Sequence, residues 1–255
     1  MYATEQKDRQ WKFAAWAFAL AFATFAIGVV MAARLFPDGP YDWMYSVVSE
    51  LASRKHNPDG GRWFSSALGL SMLALWPVAS YLRDTVGDRR WPILALRAGI
   101  LFGVLVGIER LTFVRFSSFV KDGHEALAVG AFAGLYTGLL GLYGQRIRRG
   151  WTGALVVAAP LAAIFITQIA IYFDQRDLGW VDRRWRDLGV SLWLSFAFWQ
   201  WLAVTLLWVG LGHLLWSGRS LTARRHPPII SAPPVPAAAM APARDSIQRG
   251  STEGR

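Results

Sequence analysis

Six long apolar stretches divide this chain, and each can cross a lipid bilayer as a helix. They run over 13–33, 63–82, 92–108, 126–143, 153–173 and 188–216. A helix needs roughly 20 residues to cross the hydrocarbon core. Because 54% of the residues are hydrophobic and only 17% are charged, the chain is also more apolar than soluble domains are. The sequence therefore predicts an all-α fold, an integral membrane bundle of six transmembrane helices.

The domain organisation follows from these stretches. A cytoplasmic N-terminus is predicted for residues 1–12, the six-helix transmembrane domain for 13–216 and a cytoplasmic tail for 217–255. The first stretch is longer than the roughly 7–15 apolar residues of a signal peptide, so we interpret it as a membrane helix. Proline and alanine dominate the tail and no apolar pattern could bury a core there, so we expect the tail to be disordered.

Basic residues near the ends of the stretches predict the orientation, because they collect on the cytoplasmic side of a membrane. The turns 83–91 and 145–151 carry most weight, since short loops follow this rule closely and each of the two contains three arginines. Both turns and both termini are therefore predicted to be cytoplasmic, although the opposite side holds nearly as many basic residues.

The composition excludes several classes of protein. The chain contains no cysteine, so disulfides, thiolate metal sites and cysteine nucleophiles are excluded. Its formal net charge of +10 comes largely from arginines that flank the apolar stretches, where they meet lipid headgroups, and we predict no nucleic-acid partner. Scarce lysine with abundant alanine, glycine and tryptophan is typical of a GC-rich bacterial genome, so we expect the bacterial plasma (inner) membrane.

Glycine recurs at every fourth position on the third and fourth stretches. Small residues at this spacing let two helix backbones approach closely in lipid. Because the two helices would form a hairpin, we expect the two glycine stripes to face each other. These stripes are Gly99, Gly103 and Gly107 on the third stretch, and Gly130, Gly134 and Gly138 on the fourth.

Most acidic residues near the membrane lie in the connections 35–62, 109–125 and 174–187, which share the predicted outer face. Any chemistry is therefore expected there. In the first connection, Asp42 could cap a short amphipathic helix whose apolar residues lie in the membrane interface. These apolar residues are Trp43, Tyr45, Val47, Val48 and Leu51. Ser49 and Glu50 would then face the bundle or water as part of a polar site; a solvated connector without a site is the equal alternative.

His124 opens the fourth stretch between Asp122 and Glu125. A histidine at this depth could be a general base, a metal ligand or a contact for a lipid phosphate. A capping arrangement would by itself explain the two acids, but it leaves the histidine unexplained. Glu109 and Arg110 end the third stretch near the same depth, and the alternative to a functional role is an arginine that reaches the interface beside its neighbour.

These arguments define a candidate site at the outer face. The predicted catalytic residues are Ser49, Glu50, His124 and Asp122, and the predicted substrate-binding residues are Asn57, Glu109, Arg110 and Asp174. No metal and no cofactor are predicted, because a zinc hydrolase needs more histidines than His56 and His124, the two available on this face. Gln168 and Gln200, inside the fifth and sixth stretches, are predicted to join helices, and His213 is given no function.

The six stretches, Ser49-Glu50-Leu51, Asn57-Pro58 and the position of His124 carry a family resemblance. Over residues 13–216 the chain resembles a bacterial six-helix membrane protein family of unknown function. That family is distantly similar to the damage-regulated autophagy modulator and Sfk-type membrane proteins. The family's serine–acid pair maps onto Ser49 and Glu50 and its histidine onto His124, whereas the basic run 54–56 departs from the pattern. The resemblance implies the six-helix fold and no settled activity.

Two functions remain open on the sequence. The first is a protein that binds or modifies a lipid at the outer leaflet, with membrane lipids as its partners. The alternative is a non-catalytic scaffold or sensor whose tail recruits a cytoplasmic protein partner. A transporter is disfavoured, because the two halves of the chain show no convincing repeat.

Overall fold

The computed structural model describes residues 2–37, 39–53, 55–85, 89–112, 123–175, 189 and 191–225. The described residues fold into eight α-helices joined by turns and irregular connections. The helices are α1 (Tyr2–Arg34), α2 (Val48–Leu51), α3 (Gly61–Ala74), α4 (Trp76–Thr85), α5 (Trp91–Leu111), α6 (Gly123–Arg148), α7 (Leu155–Gln175) and α8 (Phe196–Arg225).

Six helical segments are long and apolar enough to span a membrane, which confirms the predicted all-α class. They are Glu5–Arg34, Gly61–Thr85, Trp91–Leu111, Gly123–Arg148, Thr152–Asp174 and Phe196–Gly218. The second segment combines α3 and α4, which meet at Leu75. Pro77 follows this junction and has no N–H to donate to the preceding turn, so the sequence interrupts the helix there.

The sixth helix starts later than the sequence predicted. We expected it to begin at residue 188, whereas α8 begins at Phe196. Ser195 precedes the helix and caps it, because its Oγ accepts a hydrogen bond from the N–H of Phe198 (3.4 Å). The apolar residues Leu192–Leu194 before Ser195 extended the hydropathy pattern, but they form a separate short 3-10 helix and are not part of α8. At its other end α8 continues past the predicted boundary at 216 to Arg225; residues 226–255, most of the predicted tail, lie outside the described residues.

The glycine stripes are only partly arranged as predicted. A Cβ atom on Gly134 would lie 2.5 Å from the backbone nitrogen of Gly99, so these glycines bring α5 and α6 into backbone contact. Gly103 and Gly107 instead face α3, at Met72 and Gly69. Four residues turn an α-helix slightly more than once, so a stripe at this spacing drifts around the helix until it meets the next neighbour.

Contacts between distant segments define two ends of the bundle. At the end that carries the long connections, which we call the long-loop face, Ser195 Oγ donates to the carbonyl of Met44 (2.7 Å). At the opposite end, the termini face, the rings of Trp11 and Trp216 lie 5.5 Å apart. The residues of the predicted site in the described part of the chain belong to the long-loop face.

Candidate functional site

The first connection folds differently from the predicted interfacial helix. The helical part, α2, is only four residues long, and Asp42 accepts a bond from the N–H of Met44 (3.2 Å) in a preceding turn instead of capping α2. Val47 and Leu51 are buried, not placed in the membrane interface. This part of the prediction was wrong for Val47 and Leu51 because the connection packs back onto the bundle there, whereas Trp43 is exposed.

Tyr41 and Gln200 hold this connection in place. The Tyr41 hydroxyl lies 2.8 Å from the carbonyl of Ser46 and 2.9 Å from that of Val47, and burial raises the pKa of this phenol above its usual value. Gln200 on α8 accepts a bond from the N–H of Val48 (2.8 Å) at its Oε1. Gln200 therefore joins segments, as the sequence predicted for a buried amide.

Asn57, predicted to bind substrate, is buried and hydrogen-bonded to backbone groups of the protein. Its side chain is 0% exposed, and Nδ2 donates to the carbonyls of Ala32 (2.9 Å) and Leu51 (3.2 Å). Oδ1 accepts from the N–H of Gly60 (3.0 Å). The amide thus connects the end of α1, α2 and the start of α3. Because both amide donors are used by the backbone, we assign Asn57 to the scaffold of the site rather than to substrate binding.

His124 pairs with a buried carboxylate. Its Nδ1 lies 3.0 Å from Oε2 of Glu109, whose side chain is only 9% exposed, and Nε of Arg110 lies 3.3 Å from the same oxygen. A buried carboxylate is costly unless it is paired, so the Arg110 guanidinium and the His124 ring explain how Glu109 is tolerated at this depth. The pair joins the end of α5 to the start of α6 across one connection. The sequence analysis did not predict this pair, although it placed both residues near the same depth of the membrane, which was a signal for it.

The neighbouring acids stand apart from this pair. Glu125 accepts a hydrogen bond from the hydroxyl of Tyr172 on α7. Asp174 is exposed at the end of α7. Asp122 lies outside the described residues, so its predicted catalytic role stays a prediction.

A cavity of about 110 Å³ lies between the helices next to these groups. Its walls are almost entirely apolar and come from α1, α2, α3, α5, α6 and α8. Ser49, His124 and Gln200 line its end at the long-loop face, which we call the polar end, whereas Leu75, Leu135 and Leu211 line it farther inside. The structure therefore brings Ser49 and His124, two predicted catalytic residues, to one cavity, and adds Gln200; the half-buried Glu50 does not line it.

The polar end offers acid–base and hydrogen-bonding chemistry. With its Nδ1 held by Glu109, His124 can accept or donate a proton at Nε2. The Ser49 hydroxyl and the Gln200 amide can hydrogen-bond a polar group in the same space. Within the described ranges, no group of three or more histidine and carboxylate residues is arranged to hold a metal ion.

Arg146 was missed as a buried residue, because the sequence placed it in a basic turn that faces lipid headgroups. Its side chain is buried at the termini face, where it donates to Ser217 Oγ and to the carbonyl of Leu214 (3.1 Å) and lies 4.8 Å from the centre of the Trp151 ring. The helical spacing from Leu139 and Leu142 to Arg146 was a signal that it lies on the buried side of α6.

In the part of the chain that the structure describes, the fold is all-α, with six helical segments long and apolar enough to span a membrane and a polar-ended apolar cavity between them. Comparison of the chain with protein-family models, with curated proteins and with solved structures finds no match in any of the three. The family resemblance drawn from Ser49, Glu50 and His124 therefore stays a prediction.

Proposed function

We propose that this chain is a multi-pass protein of the bacterial plasma membrane that binds a lipid of the outer leaflet in the central cavity. Both termini would lie in the cytoplasm, so the long-loop face and the polar end of the cavity would meet the outer leaflet. The observation that carries the proposal is an apolar cavity in which three polar residues of the lining, Ser49, His124 and Gln200, gather at one end.

The dimensions of the cavity support a lipid chain as the occupant. Its lining extends from Gln200 to Leu211 on α8 and from His124 to Leu135 on α6. At 1.5 Å per residue, each of these separations corresponds to about 16 Å, or roughly half of the hydrocarbon core. A hydrocarbon chain entering from the polar end would therefore lie parallel to the helices and reach the middle of the membrane.

The chemistry of the polar end supports a lipid headgroup or linkage group beside that chain. Water has few hydrogen-bonding partners along the apolar walls, whereas the polar end supplies a histidine, an amide and a hydroxyl. The His124–Glu109 pair would bind the polar group or exchange a proton with it. Binding requires only this arrangement, and modification would in addition use His124 as a general acid or base.

A cavity-filling substitution tests the binding. Ala128 lines the cavity on α6, and Ala128→Phe would occupy the space of a chain. Ala126→Phe on the same helix adds the same group at an exposed position and is the matched control. Native mass spectrometry of the purified proteins should show bound lipid on the native chain and on Ala126→Phe, with loss of most of it on Ala128→Phe. Equal lipid on both variants would contradict the proposal.

A lipid profile of a deletion strain separates modification from binding alone. If the protein modifies a lipid, one species should change on deletion and return with the native chain but not with His124→Ala. If the profile is unchanged while the purified protein still carries lipid, the function is binding without modification. An unchanged profile together with a lipid-free purified protein would favour the scaffold hypothesis instead.

A further inference from the structure

We infer that the ligand of this cavity is a lipid with a single hydrocarbon chain whose acyl carbonyl group, a carboxylate or an ester, lies at the polar end. This inference rests on the proposed function and narrows it to a chemical class. It is carried by two features: the direction of the hydrogen-bonding groups at the polar end and the thinness of the cavity.

Gln200 presents a donor to the cavity. Because the N–H of Val48 lies 2.8 Å from its Oε1, the amide oxygen is fixed on that side and the Nε2 group points away from it. No hydrogen bond from Nε2 to an acceptor is formed within the part of the chain that the structure describes. Gln200 lines the cavity, so this amide group can donate to an oxygen of a ligand.

His124, like Gln200, has one side-chain atom held by the protein and another that remains for a ligand. Its Nδ1 is held by Glu109 at 3.0 Å, and Nε2 is the ring nitrogen that remains for a ligand. When Nδ1 donates to the carboxylate, a neutral His124 has an acceptor at Nε2, and a protonated His124 has a donor there. Ser49 adds a hydroxyl at the same end of the cavity. A carbonyl oxygen bound by Gln200 is compatible with either state of the histidine.

The charges around the polar end favour an oxygen ligand over a cationic headgroup. The carboxylate of Glu109 is already paired with His124 and Arg110 and lies buried behind them. The lining contains four aromatic residues, Phe25, Phe64, Phe132 and Trp208, but a quaternary amine has no acceptor for the hydrogen-bond donors that the polar end offers. A carboxylate or ester oxygen matches these groups.

The thinness of the cavity favours one chain. A volume of about 110 Å³ is spread along a lining of about 16 Å, and it is smaller than an apolar cavity of about 150 Å³ that holds one benzene ring. At this volume any lipid chain must displace lining side chains, and a single unbranched chain displaces fewer of them than two chains side by side or a ring system would. Met72 lines it beside Gly103, and this unbranched, flexible side chain can move to admit a single chain.

Matched lipids test the inference on the full-length protein in detergent. The probes are palmitoyl lysophosphatidylglycerol, its hexadecyl ether analogue without the carbonyl, palmitate, and dipalmitoyl phosphatidylglycerol, with binding measured by native mass spectrometry. We expect the ester to bind about tenfold more tightly than the ether, as one hydrogen bond of about 1.4 kcal/mol would give. The diacyl lipid should bind more weakly than the ester. Palmitate binding distinguishes a free acid from a lysolipid as the source of the carbonyl.

Gln200→Glu tests the donor itself. Glutamate keeps an oxygen for the N–H of Val48 but replaces the Nε2 donor with an acceptor, so α2 should stay in place while the preference for ester over ether disappears. Gln168→Glu, a buried amide on α7 that does not line the cavity, is the control and should keep the preference. Gln200→Asn, which keeps a donor, provides a second variant if Gln200→Glu fails to fold, and it should retain part of the preference.

The outcomes separate this inference from the proposed function. Equal binding of ester and ether with no tighter binding of palmitate, or binding of the diacyl lipid as tight as that of the single-chain probes, would overturn the single-chain carbonyl ligand while lipid binding stands. If none of the four lipids binds the native chain better than it binds Ala128→Phe, both the inference and the proposed function fail.

Discussion

At the residue scale, Asn57 connects three segments of the long-loop face through one buried side chain. Asn57→Ala would leave the carbonyls of Ala32 and Leu51 and the N–H of Gly60 without this partner. We expect a loss of about 3 kcal/mol in the free energy of unfolding, because unsatisfied buried groups cost about 1–3 kcal/mol each and some will find water. Thermal unfolding of the detergent-solubilised protein measures this loss.

Asp59 provides the comparison for Asn57. It lies two positions away in the same connection, and its side chain is exposed. Asp59→Ala should leave the unfolding temperature nearly unchanged, since an exposed residue loses little on truncation. If Asn57→Ala unfolds at the same temperature as Asp59→Ala, the amide does not hold the connection, and its assignment to the scaffold is wrong.

At the element scale, α5 and α6 are in backbone contact through Gly99 and Gly134. A Cβ atom on Gly134 would lie 2.5 Å from the nitrogen and 2.6 Å from the Cα of Gly99, and backbone atoms cannot move aside as a side chain can. Gly134→Ala should therefore force the helices apart and lower the free energy of unfolding by about 2 kcal/mol, within the range for overpacked sites. Thermal unfolding again provides the measurement.

Gly144 on the same helix gives the opposite expectation. Apart from its own turn of helix, no atom of the described residues would lie within 4 Å of a Cβ at this position, so Gly144→Ala adds a methyl group without a clash. Alanine favours a helix over glycine by about 1 kcal/mol, and this variant should be as stable as the native chain or more stable. If Gly144→Ala destabilises the protein as much as Gly134→Ala does, the loss at Gly134 does not come from the contact between α5 and α6.

The helical segments themselves were predictable from the sequence because length and hydropathy determine which segments can span a bilayer. The ends of the segments were less predictable than the segments themselves. Hydropathy does not distinguish an apolar helix from an apolar connection, which is why the start of α8 was placed at 188 instead of Phe196. The cap at Ser195 depends on a contact with Met44, a partner distant in sequence.

The candidate site was predictable to a smaller extent. Ser49 and His124 were chosen for their shared face, and they do line one cavity. The sequence did not pair His124 with Glu109, because the partner of a buried charge depends on how α5 and α6 are packed. Asn57 was predicted to bind substrate. The sequence pattern is the same for an asparagine that binds a ligand and for one that connects backbone segments, so it did not distinguish the two roles.

At the scale of the whole molecule, the cavity lies where α8 meets α1, α3, α5 and α6. Glycines on α5 and α6 bring backbones into contact with each other and with α3, whereas large side chains, including Trp208, separate α8 from α1. Close packing by small residues and wider spacing by aromatic residues thus coexist in one bundle. The cavity lies between these two kinds of contact, and its lining includes both Gly103 of the α5 stripe and Trp208 of α8.

The orientation of the whole bundle decides which leaflet supplies the ligand, and the absence of cysteine makes it measurable. Asp59 is exposed at the long-loop face and Arg148 at the termini face. With both termini in the cytoplasm, a membrane-impermeant maleimide added to spheroplasts should label Asp59→Cys, and it should label Arg148→Cys only after the membrane is permeabilised. Because both positions are exposed, a difference in labelling reports the side of the membrane and not burial.

The reverse labelling pattern would have a defined meaning. It would place the long-loop face in the cytoplasm and would contradict the positive-inside prediction made from the turns 83–91 and 145–151. The cavity and its polar end would be unchanged, because they depend on contacts within the bundle and not on the membrane side. A lipid ligand would then enter from the inner leaflet, where newly made lipids and free fatty acids are exposed to cytoplasmic enzymes. The ester and ether probes would still test the carbonyl, whereas the outer-leaflet part of the proposed function would be wrong.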